Sequence, residues 1–259
     1  MPRAMLLAID VGNTNIVAGV FSGDRMVADF RLRTEGRATG DELGLSLTGL
    51  LASRDISPRA VSGVVVSSVV SGLQRSIQDV ATTYFHRQPM VVGPGVRTGM
   101  RILIDDPRTV GADRIVNAIA AHRIHGGPAI VIDLGTATTF DAISAAGDYL
   151  GGAIAPGLLV SLDALVSRAA RLNRIDIVAP PTVIGRSTAA AMQSGVVLGY
   201  VALVEGLVRR MRGELGGAAR VIATGGLAEV LAGQTDCIDV VDQHLTLVGL
   251  RLIWELNQQ

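Results

Sequence analysis

Six apolar stretches rich in Val, Ile and Ala recur along the chain, at 5–10, 15–21, 61–70, 129–135, 139–144 and 220–226. Each closes on or beside Gly, Asp or Ser, the punctuation expected of strands. Longer stretches with apolar residues three and four apart lie between them, at 40–53, 71–86, 112–125, 157–170, 188–212 and 244–256, and predict helices. A shorter helical pattern, LAEVLA, follows Gly225-Gly226. Strands that are nearly all apolar need cover on both faces, so the alternation predicts an α/β protein with mostly buried sheets. Residues 5–10 and 15–21 follow each other across a glycine-containing turn, as do 129–135 and 139–144. Each half therefore opens on an antiparallel hairpin. Gly151-Gly152 and Pro156-Gly157 bracket Ala-Ile-Ala and read as a shaped loop able to take part in binding.

The two hairpins resemble each other. Asp10 and Asp133, and Gly12 and Gly135, share one offset of 123 residues, while Gly23-Asp24 and Gly147-Asp148 follow with one residue more. This self-similarity predicts a duplicated domain, divided near Gly126-Gly127-Pro128 into segments 1–126 and 127–259. The expected architecture is two duplicated α/β domains with mixed sheets and a cleft between them. Each domain would present an Asp-x-Gly turn at the end of its first strand.

Composition narrows the chemistry. Hydrophobic residues make up 49% of the 259 positions and charged residues 18%, enough for substantial cores and unlike a disordered chain. All 23 basic residues are Arg. Without Lys, neither a P-loop phosphate site nor a Schiff-base enzyme can be built. The 23 acidic residues balance the arginines, and aromatic residues are scarce, so neither a basic nucleic-acid surface nor a base-stacking platform is expected. The single Cys237 forms no internal disulfide. The apolar run 4–9 is short for a leader and no run approaches a membrane span; a cytoplasmic, non-membrane location is the expectation.

Asp10-Val11-Gly12-Asn13-Thr14-Asn15 combines a carboxylate, a tight turn and neutral donors. Gly12 lets backbone amides approach an anion, and Asn13, Thr14 and Asn15 can donate to phosphate oxygens. Asp10 would repel phosphate but can hold a hydrated Mg²⁺ that bridges to it. Taken alone, the segment is equally an Asx-type turn. The second turn, Asp133-Leu134-Gly135-Thr136-Ala137-Thr138-Thr139, repeats the chemistry with hydroxyls, and the repetition favours function. Ala223-Thr224-Gly225-Gly226 lies between strand and helix patterns, where glycines admit a nucleoside. Gly111-Ala112-Asp113-Arg114 opens a helical pattern, with Pro107 upstream as a start signal. Asp113 there is either a helix-end carboxylate or a group that orients a substrate hydroxyl, with Arg114 gripping an anion. His122 and His125 lack a third ligand and read as helix-end residues. The stretch 197–212 is amphipathic with a basic end and reads as a core or subunit-packing face.

At these residues the chain resembles the type III pantothenate kinases, members of the sugar kinase, heat-shock ATPase and actin superfamily, which implies that the two α/β domains are ribonuclease H-like. The resemblance covers AIDVGNTN (8–15), VVSSVV (65–70), VGPGVRTG (92–99), DDPRTVGADRIVNA (105–118), VIDLGTATTFD (131–141), GGAIAPG (151–157) and MQSG (192–195). It implies transfer of the ATP γ-phosphoryl group to the 4′-hydroxyl of pantothenate, the first step toward coenzyme A. By the resemblance, Asp10, Val11, Gly12, Asn13, Thr14, Asn15, Ile16 and Val17 form the first phosphate loop, with Asp10 near Mg²⁺ or another divalent ion. Gly111, Ala112, Asp113 and Arg114 form the pantothenate site, with Asp113 as catalytic base. Asp133 holds a monovalent cation, K⁺ or NH₄⁺; Thr136 contacts ATP; Thr188 contacts substrate; and the protein is a homodimer. Ile104 stands where relatives carry Tyr, so an aromatic substrate contact does not carry over, and Ser187 stands where Asn is frequent. Alternatives left open are another kinase or a phosphatase of the superfamily, or a catalytically weak ATP-binding regulatory or transcription accessory protein.

Overall fold

The structure, a computed structural model, describes residues 4–258. Ten strands and eight α-helices follow in the order β1 (Met5–Val11), β2 (Asn15–Ser22), β3 (Arg25–Arg33), α1 (Gly40–Ala52), β4 (Val61–Ser68), α2 (Gln74–Thr83), β5 (Met90–Val91), α3 (Ala112–His125), β6 (Ala129–Leu134), β7 (Ala137–Ile143), β8 (Tyr149–Pro156), α4 (Leu158–Arg168), α5 (Thr188–Gln193), α6 (Gly199–Glu214), β9 (Arg220–Thr224), α7 (Ala228–Ala232), β10 (Val240–Val241) and α8 (Leu245–Leu256). The chain forms two compact units. The first comprises residues up to Gly99, Asp106–Ala120 and Leu245 onward; the second comprises Met100–Asp105 and Ala121–His244. The division is thus discontinuous in sequence. The C-terminal helix α8 counts with the first unit because it packs on β1, β2 and β4.

The first unit is built on a five-stranded sheet of order β3-β2-β1-β4-β5. β1 pairs antiparallel with β2 and parallel with β4. Alternation along the strands decides which side chain meets which layer. Leu7, Ile9 and Val11 join Leu43, Leu47 and Leu51 of α1 and Ile77 and Val80 of α2 in one apolar cluster. The opposite face receives α8: a Cβ at Gly19 would lie 2.9 Å from Leu247, and one at Gly63 would lie 2.3 Å from the Trp254 ring. Asp10 and Ser67 occupy that second face. The start of α3 is held on α8, where Thr246 donates to the Asn117 side chain at 2.7 Å and Gly249 lies against the Val116 carbonyl.

The second unit repeats the plan. Its sheet runs β8-β7-β6-β9-β10, with β6 antiparallel to β7 and parallel to β9. Ile130, Ile132 and Leu134 pack with Leu158 of α4, Val204 and Val208 of α6 and Leu231 of α7; Asp133 therefore points to the other face. Matching strand order and matching senses of pairing bear out the duplicated α/β fold.

Three readings of the sequence change. Residues 151–156 are part of strand β8, not a loop: the Gly residues continue the ladder with β7 across one register shift. Strand β3 follows β2 through a two-residue turn at Gly23-Asp24, with Gly23 at φ +66°; its alternating charged residues concealed it. Pro107 opens a separate 3-10 turn, capped by the Asp106 side chain, rather than α3. Residues 188–214 form one continuous helical stretch, α5 and α6 joined through a π turn at Ser194–Leu198. By length and composition it is apolar enough to cross a membrane, yet Tyr200, Val201, Val204 and Val208 are buried in the unit.

Candidate active site

In the first unit the β1–β2 turn is closed by the Gly12 amide donating to the Asn15 carbonyl at 3.0 Å. The end of β3 braces it: Thr34 donates its hydroxyl to the Gly12 carbonyl at 2.7 Å and its amide to the Thr14 carbonyl at 2.9 Å. Asn13 and Thr14 are exposed, while Val11 and Ile16 are core side chains. Any ligand contact of Val11 and Ile16 is therefore through their backbone.

Asp10 is the penultimate residue of β1, opposite Ser67 of β4. The fully buried Ser67 donates its hydroxyl to the Asp10 carboxylate. Burial pushes the Asp10 carboxyl up to about 6, against the lowering effect of Ser67; the negative charge of Asp113 adds to the rise. Asp113 sits in the first turn of α3. Burial raises its affinity for a proton too, opposed by the Arg114 amide, which donates to it at 2.9 Å. Gly111 leaves room for this arrangement: a Cβ there would lie 2.4 Å from the Asp113 carboxylate and would make it turn away. The first unit thus gathers Asp10–Val17 and Gly111–Arg114, with the Asp113 charge disfavouring ionisation of Asp10. Such a pair suits a divalent cation, which needs only one or two carboxylates and keeps its remaining sites for water and phosphate. Among the described residues no three His, Cys, Asp or Glu cluster as a protein-only metal cage.

In the second unit Asp133 is the penultimate residue of β6, opposite Thr224 of β9, the counterpart of Asp10 opposite Ser67. Gly225, at φ +94°, passes so close that a Cβ would lie 2.7 Å from the Asp133 carboxylate. Glycine here lets the Thr224–Gly226 backbone pass directly against the Asp133 carboxylate and the Leu134 backbone. Gly135 closes the turn by donating to Ala137 at 3.1 Å, and Thr136 is exposed at its tip. Thr188 opens α5 behind the Ser187 cap, whose hydroxyl accepts from the Ala190 amide. With Leu165, Met192, Val196, Tyr200 and Leu203 it lines an open pocket of about 620 Å³. His122 and His125 do not meet as ligands: the His122 ring packs on Gly147, and His125 lies 3.9 Å from Asp242.

Sequence reasoning missed Ser67 and Thr34 as parts of the site. Ser67 had a signal, a pair of serines ending an otherwise apolar strand. Thr34 had none, since it depends on how the end of β3 folds over the turn.

Duplicated sheets of this order, each with an acidic turn near the end of its first strand, make up a fold shared with solved structures of the sugar kinase and actin class. Solved structures with this fold include a protein from Campylobacter jejuni described as a Baf family transcriptional activator (TM-score 0.60, 21% identity, 97% of this chain and 98% of that one). A protein from Sinorhizobium meliloti named as a 2-dehydro-3-deoxygalactonokinase has TM-score 0.58 at 13% identity, covering 97% and 96%. At these identities they speak for the fold alone. The sequence profile of type III pantothenate kinase matches residues 6–210. Proteins of that name from Moorella thermoacetica and Myxococcus xanthus are each 51% identical over 253 residues, covering 98% of this chain and 100% and 99% of theirs. The chain belongs to the type III pantothenate kinase family.

Proposed function

We propose that Asp113 accepts or orients the proton of the pantothenate 4′-hydroxyl as that oxygen attacks the γ-phosphorus of ATP. Phosphorylation of pantothenate to 4′-phosphopantothenate is the family reaction and the enzyme activity of this chain; the residue roles are the proposal. One observation carries it: a carboxylate at the start of α3, partly buried, its proton affinity raised, beside a second carboxylate at the end of β1. A raised proton affinity brings a carboxylate closer to the working pH, where it serves better as a base. The loose transition state of phosphoryl transfer demands placement more than basicity.

Asp10 holds the divalent ion, oriented by Ser67. That ion, when bound, supplies positive charge to the phosphoryl oxygens. The turn from Gly12 to Asn15 offers backbone amides, with the Asn13 and Thr14 side chains, to the phosphates, and Thr136 contacts the nucleotide. Asp133 holds K⁺ or NH₄⁺. Gly111, Ala112 and Arg114 bind pantothenate, whose carboxylate suits the guanidinium, and Thr188 adds a hydroxyl. Segments 1–126 and 127–259 derive from an actin-like ATPase domain each. Exposed Leu159, Val160, Leu165 and Leu203 on α4 and α6 support a homodimer, and the ATP requirement supports a cytoplasmic location.

An ADP-release assay with and without pantothenate tests the reaction. Release should require pantothenate, ATP, Mg²⁺ and a monovalent cation. Asp113→Asn, nearly isosteric, should keep its thermal transition and lose about 10²–10⁴-fold in kcat. Near-wild-type turnover of that variant would remove Asp113 from the mechanism.

A further inference from the structure

The duplication supplies an internal control for the two turns. In the first unit the last β1–β2 pair is Val11 with Ile16; in the second the last β6–β7 pair is Leu134 with Thr138. Thr138 therefore stands where the first copy has Ile16, which is 1% exposed in an apolar cluster. Thr138 is as deeply buried, and faces α6 on the side of the sheet away from Asp133. An apolar side chain serves the first copy, so packing alone does not call for a hydroxyl here. A buried hydroxyl costs stability unless it is partnered.

The partner is Tyr200. Its phenolic hydroxyl hydrogen-bonds the Thr138 hydroxyl and donates to the Pro156 carbonyl at 3.1 Å. One oxygen thus ties the base of the Gly135–Thr138 turn to the end of β8. The next residue, Gly157, donates its amide to the Thr136 carbonyl at 3.0 Å, and a Cβ on it would lie 2.4 Å from the Gly135 and Thr136 carbonyls. Tyr200 comes two residues after the π turn at Ser194–Leu198. A π turn inserts one residue into the helical period, and π turns concentrate at functional sites. Each residue of a regular helix advances by about 100°. Removing the insertion would swing position 200 away from Thr138.

We infer that Tyr200 is a positioning residue that holds the Gly135–Thr138 turn, and with it Thr136, in the geometry that receives the nucleotide. The inference rests on Thr136 and Asp133 serving ATP and the monovalent cation, as proposed above. It deepens that reading by naming what sets their placement from beneath. The first copy, with Ile16 at the equivalent position, does without this tie.

The test is a double-mutant cycle on the full chain with Tyr200→Phe and Thr138→Val, each of which removes hydroxyl chemistry while keeping volume. Dissociation constants for ATP are measured by calorimetry with K⁺ present, together with KM for ATP and for pantothenate and the thermal transition. Each single variant should weaken ATP about three- to tenfold and raise KM for pantothenate by less than that. The double variant should be no worse than the poorer single one, because both remove the same link. Unchanged ATP binding in Tyr200→Phe, or equal loss for both substrates, would overturn the inference and leave only a packing role. If Asp113→Asn keeps near-wild-type turnover, the proposed residue roles fall while the shift in ATP affinity still decides the role of Tyr200.

Discussion

Asp10 shows how far a single residue can be specialised against the stability of its own fold. It is the penultimate residue of a strand whose other members are apolar, and its carboxyl is pushed up to about 6 by burial, with Asp113 adding to the effect. Native protein therefore holds this proton more tightly than unfolded chain does. The stabilisation of the neutral form is fully present below the ordinary value of 3.8 and is lost as pH rises through about 6. At pH 7.5 the ionised group destabilises the metal-free fold. Each pKa unit is worth about 1.4 kcal/mol, so the cost is on the order of 3 kcal/mol at most. Asp10→Asn keeps an oxygen to accept from Ser67 and removes the charge. Metal-free Asp10→Asn is expected to melt higher than wild type at pH 7.5, with the gap closing toward pH 4. Its kcat should drop about 10²-fold or more for want of the charge that holds the divalent ion. Calorimetry across that pH range and steady-state assays check both halves; a variant that melts lower at pH 7.5 would refute the electrostatic account.

Elements were legible where period and punctuation agreed. The hairpins that open each half, the parallel partners β4 and β9, and the helices α1, α3, α6 and α8 follow from apolar runs and glycine turns. β8 was not, because Gly-Gly and Pro-Gly in Tyr149–Gly157 read as loop signals, whereas the ladder to β7 holds them extended. Nor was the small element that β8 organises. Tyr149 donates its amide to the Arg101 carbonyl and accepts from Leu103 at 2.8 Å each, and Arg101 meets Asp148 through two bonds of 2.7 Å. Segment 100–105 is thereby fixed just before Asp105-Asp106-Pro107 and the GADR turn. The hydrogen bonds from Arg101 hold the Asp148 carboxyl below the ordinary 3.8, with the Arg101 charge, Ser144 and His122 adding to this against the effect of burial. A depressed carboxylate contributes stability above its unfolded value and loses it as pH falls through the folded one. Arg101→Met should therefore melt lower than wild type at pH 6, and the difference should shrink as pH falls below about 4. A gap that persists undiminished at pH 3 would mean that packing of the arginine stem, not charge, carries the contact.

At the scale of the whole molecule, duplication was the most informative signal the sequence held. Equal offsets between Asp10 and Asp133 and between Gly12 and Gly135 correspond to the same register position in two sheets of one topology. What the repeat could not reveal is where the copies diverge: Thr138 against Ile16, and the use of α8 to cover the first sheet. The second unit also exposes more large apolar side chains than the first. Leu159, Val160 and Leu165 of α4 and Leu203 of α6 are each at least a third exposed, and Val183 and Ile184 before α5 are 72% and 82% exposed. Leu165 and Leu203 line one open pocket with Leu172, Met192 and Val196. Exposed apolar side chains around such a pocket mark an association site more often than a free surface, and self-association of like faces is the commonest way to cover it. Sedimentation of the wild-type chain at micromolar concentration should give about twice 26.9 kDa. Leu165→Arg with Leu203→Arg would place two cations against two in a symmetric contact, and this double variant should sediment as a monomer with its far-UV spectrum intact. A wild-type chain that runs as a monomer over that range, or a dimer indifferent to both arginines, would locate the subunit contact elsewhere or remove it.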